Sequence, residues 1–404
     1  MAGAGTFAVF YRDATPFAVF CLIFAVMPQL LGIAMFREWP SESSILDLAA
    51  YALGVLVGSV GAGMFTYQFR PSTNQLSPPG EVLHCRLTES QLLFLGALCF
   101  LPLLPDSIVA LTLSQQEDNV RYVLLNDPSV RILNPKLIMV LSEAFVTITW
   151  FTLIFVRPLR QWIALVFIGM YIVESFIWAS RTEFILIGIL YFLNARRMVT
   201  LRHALFIVVA VFLLGLYTIV IQGRVGSGAY INATLFYATY FAYPVYLDHA
   251  IPFVFHKLSV AYSLIGYPAD VVETYFANIP GTIARHLEEI ATYSYIGEDI
   301  RGNIHSDANV LYPQYGIIGN TIGYLGVFVY YSAVVFWTCV LAVRFKKYAY
   351  WWRVLIFLEV WYSARTFALG VPGNWFLILF SFLLCLFSMR TICPAKMPPP
   401  NTSL

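Results

Sequence analysis

Residues 305–319 read HSDANVLYPQYGIIG, which sets a histidine, an aspartate and an asparagine directly against an apolar run. His305 is the best general-base candidate among the six histidines, because a neutral imidazole near pH 7 can take a proton from a hydroxyl nucleophile. Asp307, two residues on, can do that work itself or fix the imidazole. The following helix is expected to begin at Pro313, since proline disfavours a helical residue before it and suits a first helical position. The unpaired amides of such a helix start favour an anion, and Tyr312 beside them is a candidate substrate contact. Four arginines are candidate anion ligands: Arg181 in ESFIWASRTEF, Arg224 in IVIQGRVGSG, Arg301 before His305, and Arg365 in WYSARTFALGVPGN. A planar guanidinium bonds two phosphate oxygens at once, so convergence of the four would make a phosphate or pyrophosphate site. Each has a plainer alternative, which is snorkelling to headgroups or pairing locally, as with Glu183 near Arg181 and Asp299 near Arg301. The small residues of GRVGSG let backbone approach a ligand around Arg224, while the GKS or GKT ending of a nucleotide P-loop is missing.

Three acids fall inside apolar runs: Glu143, Glu174 and Glu359. A carboxylate there is costly and faces a bundle interior or a polar cavity. Glu174 lies about two helical turns from Arg181 and is the candidate support for it. Buried structural pairing is the alternative reading of all three.

These side chains need a scaffold, and the composition names its solvent. The 404 residues are 59% hydrophobic and only 11% charged, with a mean hydropathy of +0.74. Soluble domains carry about 25% charge, so a soluble protein is excluded and an all-α polytopic membrane protein is expected. Apolar runs fall near 16–36, 45–67, 91–113, 137–156, 162–179, 182–194, 203–222, 315–343, 354–369 and 374–389. Each span needs about 20 residues; the run at 182–194 is short and that at 315–343 is long enough to tilt. We expect one integral membrane domain over residues 1–404. Within it, 224–314 forms a large outer-face loop, whose ATLFYATYFAYPVYL and IPFVFHKLSVAYSLIGYP belts suit interfacial or broken helices. An extra pair of broken spans would preserve the topology, so about ten to twelve spans are expected.

Orientation follows from basic residues in short loops. With the N-terminus cytoplasmic, RPLRQ, ARRMVTLR and RFKKYAYWWR all face inward, together with Arg70, Arg86, Arg390 and Lys396. The opposite topology puts every one of those clusters outside. Both termini are therefore expected in the cytoplasm and His305 outside. The N-terminal MAGAGTFAVFYRDATP has no ordered signal-peptide pattern, so the first run is read as a retained span. The six cysteines form no CxxC or metal pattern and read as small buried hydrophobes.

IWASRTEFILIGILYFL, then IQGRVGSG, a long outer loop and HSDANVLYPQYGIIGNTIGYLG resemble the O-antigen polymerase and ligase superfamily. His305, Ser306 and Leu311 are similar to the histidine motif of its ligase branch, and Gly316, Gly319 and Gly323 to a glycine-rich entry into the next span. A DAN insertion departs from the strict ligase pattern, and the length with a late outer loop looks more like a polymerase. The resemblance implies a GT-C-like membrane glycosyltransferase in a bacterial inner membrane, with its active site on the periplasmic face. It also implies undecaprenyl-pyrophosphate-linked oligosaccharides as substrates and neither metal nor nucleotide sugar; no cofactor and no nucleic-acid partner is expected. Arg181, Arg224, Arg301 and Arg365 would then hold the pyrophosphate and stabilise its departure, with His305 activating or orienting the acceptor hydroxyl. A chain-length regulator is a further partner left open.

Two other classes compete with the polymerase, besides an O-antigen ligase. A polyprenyl-phosphate-sugar-dependent glycosyltransferase would use a carboxylate of FREWPSESSILD, namely Glu38, Glu42 or Asp47. A lipid-linked oligosaccharide flippase or transporter would use the same arginines while alternating access.

Overall fold

The computed structural model describes residues 14–68, 82–113, 128–156, 159–175, 177, 242–247, 260–276, 294–300, 302, 304–307, 313–364, 369 and 371–392. The first helices are α1 (Ala14–Ile33) and α2 (Glu42–Gln68). Strand β1 (Val82–Cys85) then leads into α3 (Glu89–Phe100), which runs through a 3-10 turn at Leu101–Leu103 into α4 (Leu104–Leu113). Next come α5 (Pro135–Phe155) and α6 (Gln161–Ser175). Among the described residues three short helices follow, α7 (Tyr243–Leu247), α8 (Val260–Ile265) and α9 (Tyr267–Phe276), and then strands β2 (Ser294–Glu298) and β3 (Ile304–Asp307). The chain closes with α10 (Gln314–Arg344), α11 (Ala349–Ile356), a π turn at Phe357–Tyr362, α12 (Pro372–Ser388) and β4 (Met389–Ile392).

Among the described residues, four helices are long and apolar enough to cross a membrane: Glu42–Thr66, Glu89–Leu113, Pro135–Leu153 and Gln314–Arg344. Three shorter apolar helices, Phe17–Ile33, Gln161–Ser175 and Gly373–Ser388, accompany them. The chain is a polytopic, mostly α-helical membrane protein. The expected runs at 182–194 and 203–222 lie outside the described residues.

Helix starts follow local chemistry. Thr88 and Gln91 make a reciprocal capping box at α3. Asn134 accepts from the Lys136 amide just before Pro135, which needs no amide of its own at the first turn. Pro313 caps α10, so that helix begins where the proline predicts.

Among the described residues, α2 and α10 pack most closely. A β-carbon on Gly54 would lie 2.8 Å from the Phe328 carbonyl oxygen, and one on Gly58 would lie 2.5 Å from that of Ser332. Only glycine lets the two backbones meet there, as in small-xxx-small packing. Further along α10, Gly323 has φ 77° and ψ 166°, which breaks the helix. Nothing would touch a β-carbon at 323, so glycine is needed for the conformation and not for space. Just before the break, Asn320 and Thr321 bond back to the carbonyls of Gly316 and Ile317 at 2.9 and 2.8 Å, a pattern that bends helices.

Two antiparallel strand pairs tie distant loops together. β1 pairs with β4, and the Arg86 amide donates to the Ser388 carbonyl at 2.7 Å. β2 pairs with β3 through an irregularity between Tyr295 and Gly297. Neither pair shows in the hydropathy pattern.

Candidate functional site

The connection between α1 and α2 continues the β2–β3 hairpin. The Arg37 amide donates to the Glu298 carbonyl at 3.0 Å, and the Ile300 amide donates to Met35 at 2.9 Å. Phe36 bridges Asp299 between them. Beneath the hairpin the Phe36 ring is buried, 4.4 Å from the Tyr246 ring and 6.4 Å from that of Tyr243. Gly297, at φ 153°, lies on Phe36, and a β-carbon there would stand 3.2 Å from the ring. The Arg37 guanidinium pairs with the Glu298 carboxylate beside it. Tyr246 donates to the Glu38 carbonyl at 2.6 Å; burial, helped by the Glu38 carboxylate, raises its phenol above the usual range.

His305 and Asp307 lie on this hairpin. In the β2–β3 register His305 stands opposite Gly297 and Asp307 opposite Ser294. The strand that carries both is thus fastened, through Gly297 and Phe36, to the connection that starts α2.

Asp47 lies one turn into α2. It is 6% exposed and lies against Gly319 of α10, where a β-carbon would collide with its carboxylate. Among the described residues its carboxylate makes no hydrogen bond or ion pair. A carboxylate buried without a partner is costly in its charged form. One turn along, Tyr51 stacks on Tyr315 at 5.4 Å and meets Tyr331 edge-on at 4.7 Å. Its hydroxyl donates to the Val360 carbonyl of the π turn.

Behind these rings lies a polar network. Gln314 Nε2 donates to the Tyr330 hydroxyl at 3.1 Å, and that hydroxyl lies 3.0 Å from the Leu264 carbonyl and 3.3 Å from Glu359 Oε2. Tyr331 donates to Ser363 Oγ at 3.2 Å, and Ser363 donates to the Glu359 carbonyl. The Gln314 amide donates to the Ser363 carbonyl at 2.8 Å, and Gln29 Nε2 donates to that of Ala364 at 2.6 Å.

A separate polar group joins α4, α5 and α6. Glu174 is 1% exposed and accepts from the Ser142 hydroxyl. Asp106 accepts from the amides of Ile132 and Leu133 at 2.9 and 3.1 Å. Nearby, the Arg131 guanidinium donates to the Ile177 carbonyl at 3.1 Å. Burial lowers the pKa of Arg131, and Asp106 opposes the shift.

Of the residues expected to do the catalysis and bind the substrate, His305, Asp307 and Glu174 have described backbones; the acids Asp47, Glu143 and Glu359 are described as well. The structure places His305 and Asp307 on one strand and Glu174 inside the α5–α6 contact. Arg181, Arg224, Arg301, Arg365 and Tyr312 lie outside the described residues. Among the described residues no group of three or more His, Cys, Asp or Glu is placed to hold a metal ion. The Glu359 network is not visible in the sequence because its partners come from α8, from the start and the middle of α10, and from Ser363 just after the π turn. A hydroxyl-rich register, Tyr51, Tyr315, Tyr330 and Tyr331, was the available signal.

No family model, curated protein or solved structure matches the chain. Fold and composition therefore define a class, a polytopic α-helical membrane protein, and the functional reading beyond that class is a proposal.

Proposed function

We propose that this chain is a GT-C-like membrane glycosyltransferase of about ten to twelve spans that polymerises oligosaccharide repeat units linked to undecaprenyl pyrophosphate. The growing glycan leaves its lipid carrier and joins a hydroxyl of an acceptor repeat unit. The observation that carries the reading is the fastening of the His305–Asp307 strand onto the α1–α2 connection, next to the start of α2 that holds Asp47. That arrangement supports a polar mouth at one end of an apolar bundle. His305 takes the acceptor proton or orients the hydroxyl, and Asp307 supports it. Arg181, Arg224, Arg301 and Arg365 bind the pyrophosphate and stabilise its departure, with Tyr312 and Glu174 as further substrate-side positions. Both termini are cytoplasmic and the site is periplasmic, in a bacterial inner membrane. In support, segments with basic residues meet each other (β1 with β4, Glu89 with Arg160), while the α1–α2 connection meets the hairpin.

A second reading has its own observation. Asp47 is a buried carboxylate with no protein partner among the described residues, which is what a transferase using a polyprenyl-phosphate sugar would need in a base. The test is reconstitution with a synthetic lipid-linked repeat unit, comparing wild type with R224A, H305A and D47N. Loss of multi-unit products in R224A and H305A, with folding intact, supports the polymerase. Loss in D47N alone moves the chemistry to Asp47 and the second reading.

A further inference from the structure

Glu359 sits in the π turn, is 8% exposed, and has no cation within reach among the described residues. Its side chain has one hydrogen-bonding partner there, the Tyr330 hydroxyl. The groups that face it are uncharged: Tyr330, Tyr331 and Gln314 from α10, and Tyr51 from α2. Helix α1, packed on the π turn, contributes Gln29 and Cys21 and has no charged residue. On α5, the neighbour of the π turn is Trp150, against Phe357, and Glu143 lies against Gly373. Along the chain the nearest charges are Arg353, six residues back, which has an interaction of its own, and Arg365, six residues on and outside the described residues. Among the described residues nothing compensates an ionised carboxylate in this setting.

The protons around Tyr330 can be counted. Its oxygen accepts one bond, from Gln314 Nε2, and lies within bonding distance of two further oxygens, Leu264 O and Glu359 Oε2. A phenol has a single proton to give. If Glu359 holds a proton, it donates to Tyr330, and Tyr330 donates to Leu264; all three contacts are then satisfied. If Glu359 is ionised, the Tyr330 proton turns to the charge and the Leu264 carbonyl is abandoned. Leu264 lies in the last turn of α8, where carbonyls have no intrahelical partner, so α8 then loses its hydrogen bond to α10 and is held there by the packing of Leu264 alone.

We propose that Glu359 is a proton-binding site inside the helix bundle, and that its proton decides whether Tyr330 latches α8 onto α10. The ligand is the proton itself, and the responding element is the segment Val260–Ile265, held against the helix that Gln314 begins. A π turn at this position agrees with a functional site, since such turns cluster there. The latch does not depend on the glycan reading and stands or falls without it.

The test uses the full chain in lipid nanodiscs. Infrared difference spectra across a pH series read the protonated-carboxyl stretch, and hydrogen exchange of peptides covering 260–265, corrected for intrinsic rates, reads the latch. Wild type is expected to lose a carboxyl band as pH rises, and to lose protection at 260–265 over the same range. E359Q, whose amide donates to Tyr330 as the acid would, lacks the band and stays protected throughout. Y330F keeps a titrating band and leaves 260–265 unprotected at every pH. Absence of any Glu359 band while the protein is folded overturns the proposal. So does a titrating band with unchanged exchange at 260–265, which would leave a proton site without a latch.

Discussion

At the scale of single residues, the hairpin bearing His305 is held, beyond its backbone hydrogen bonds to residues 35–37, by one ring and one ion pair of unequal strength. Phe36 is buried among Gly297, Tyr243 and Tyr246, so F36A is expected to cost about 3–5 kcal/mol. The Arg37–Glu298 pair is 51% and 35% exposed, so screening leaves R37A at about 0–1 kcal/mol. Thermal unfolding in detergent measures both, and an R37A loss equal to that of F36A would make the ion pair the anchor. Asp47 could be picked out in the sequence as an acid near the first outer connection, but its burial against Gly319 could not. That contact joins residues 272 positions apart, and no local pattern carries it. Glu359 was legible as a costly acid in an apolar run, whereas its partner Tyr330 depends on how the π turn rotates it.

At the scale of elements, the start of α10 was legible at Pro313 because the restriction is local, while the Asn134–Pro135 and Thr88–Gln91 starts came from the structure, although their chemistry is equally local. The strands were not, since SYIGE and IHSD are too short for alternation to register and their outer partner lies at residues 35–37. The α2–α10 contact leaves a trace in GVLVGSVG, where Gly54 and Gly58 stand four apart. G58A places a methyl against the Ser332 carbonyl and is expected to cost about 1–3 kcal/mol. V57A, on the exposed side of α2, serves as the control and is expected to leave the melting temperature nearly unchanged. G323A forces a side chain into φ 77°, ψ 166° and is expected to cost about 1–3 kcal/mol, although nothing crowds that position. Equal melting temperatures for G323A and wild type would mean that the break in α10 is not maintained in the folded protein.

At the scale of the whole molecule, composition alone pointed to the solvent, because the chain is 11% charged where soluble domains carry about 25%. Orientation is the next property to measure. In a background without cysteines, S43C on the exposed start of α2 is expected to react with an impermeant maleimide from the periplasmic side. S90C, exposed at the start of α3, is expected to react only from the cytoplasmic side. The reverse pattern inverts the topology and puts the His305 strand on the wrong face for a periplasmic acceptor. The most direct test of the polymerase proposal is the product made by wild-type protein reconstituted in liposomes with a synthetic undecaprenyl-pyrophosphate-linked repeat unit. The account predicts a ladder of glycans several repeats long, still attached to lipid. Movement of the lipid-linked unit between leaflets with no glycan longer than one repeat would contradict it, and would make the chain a transporter.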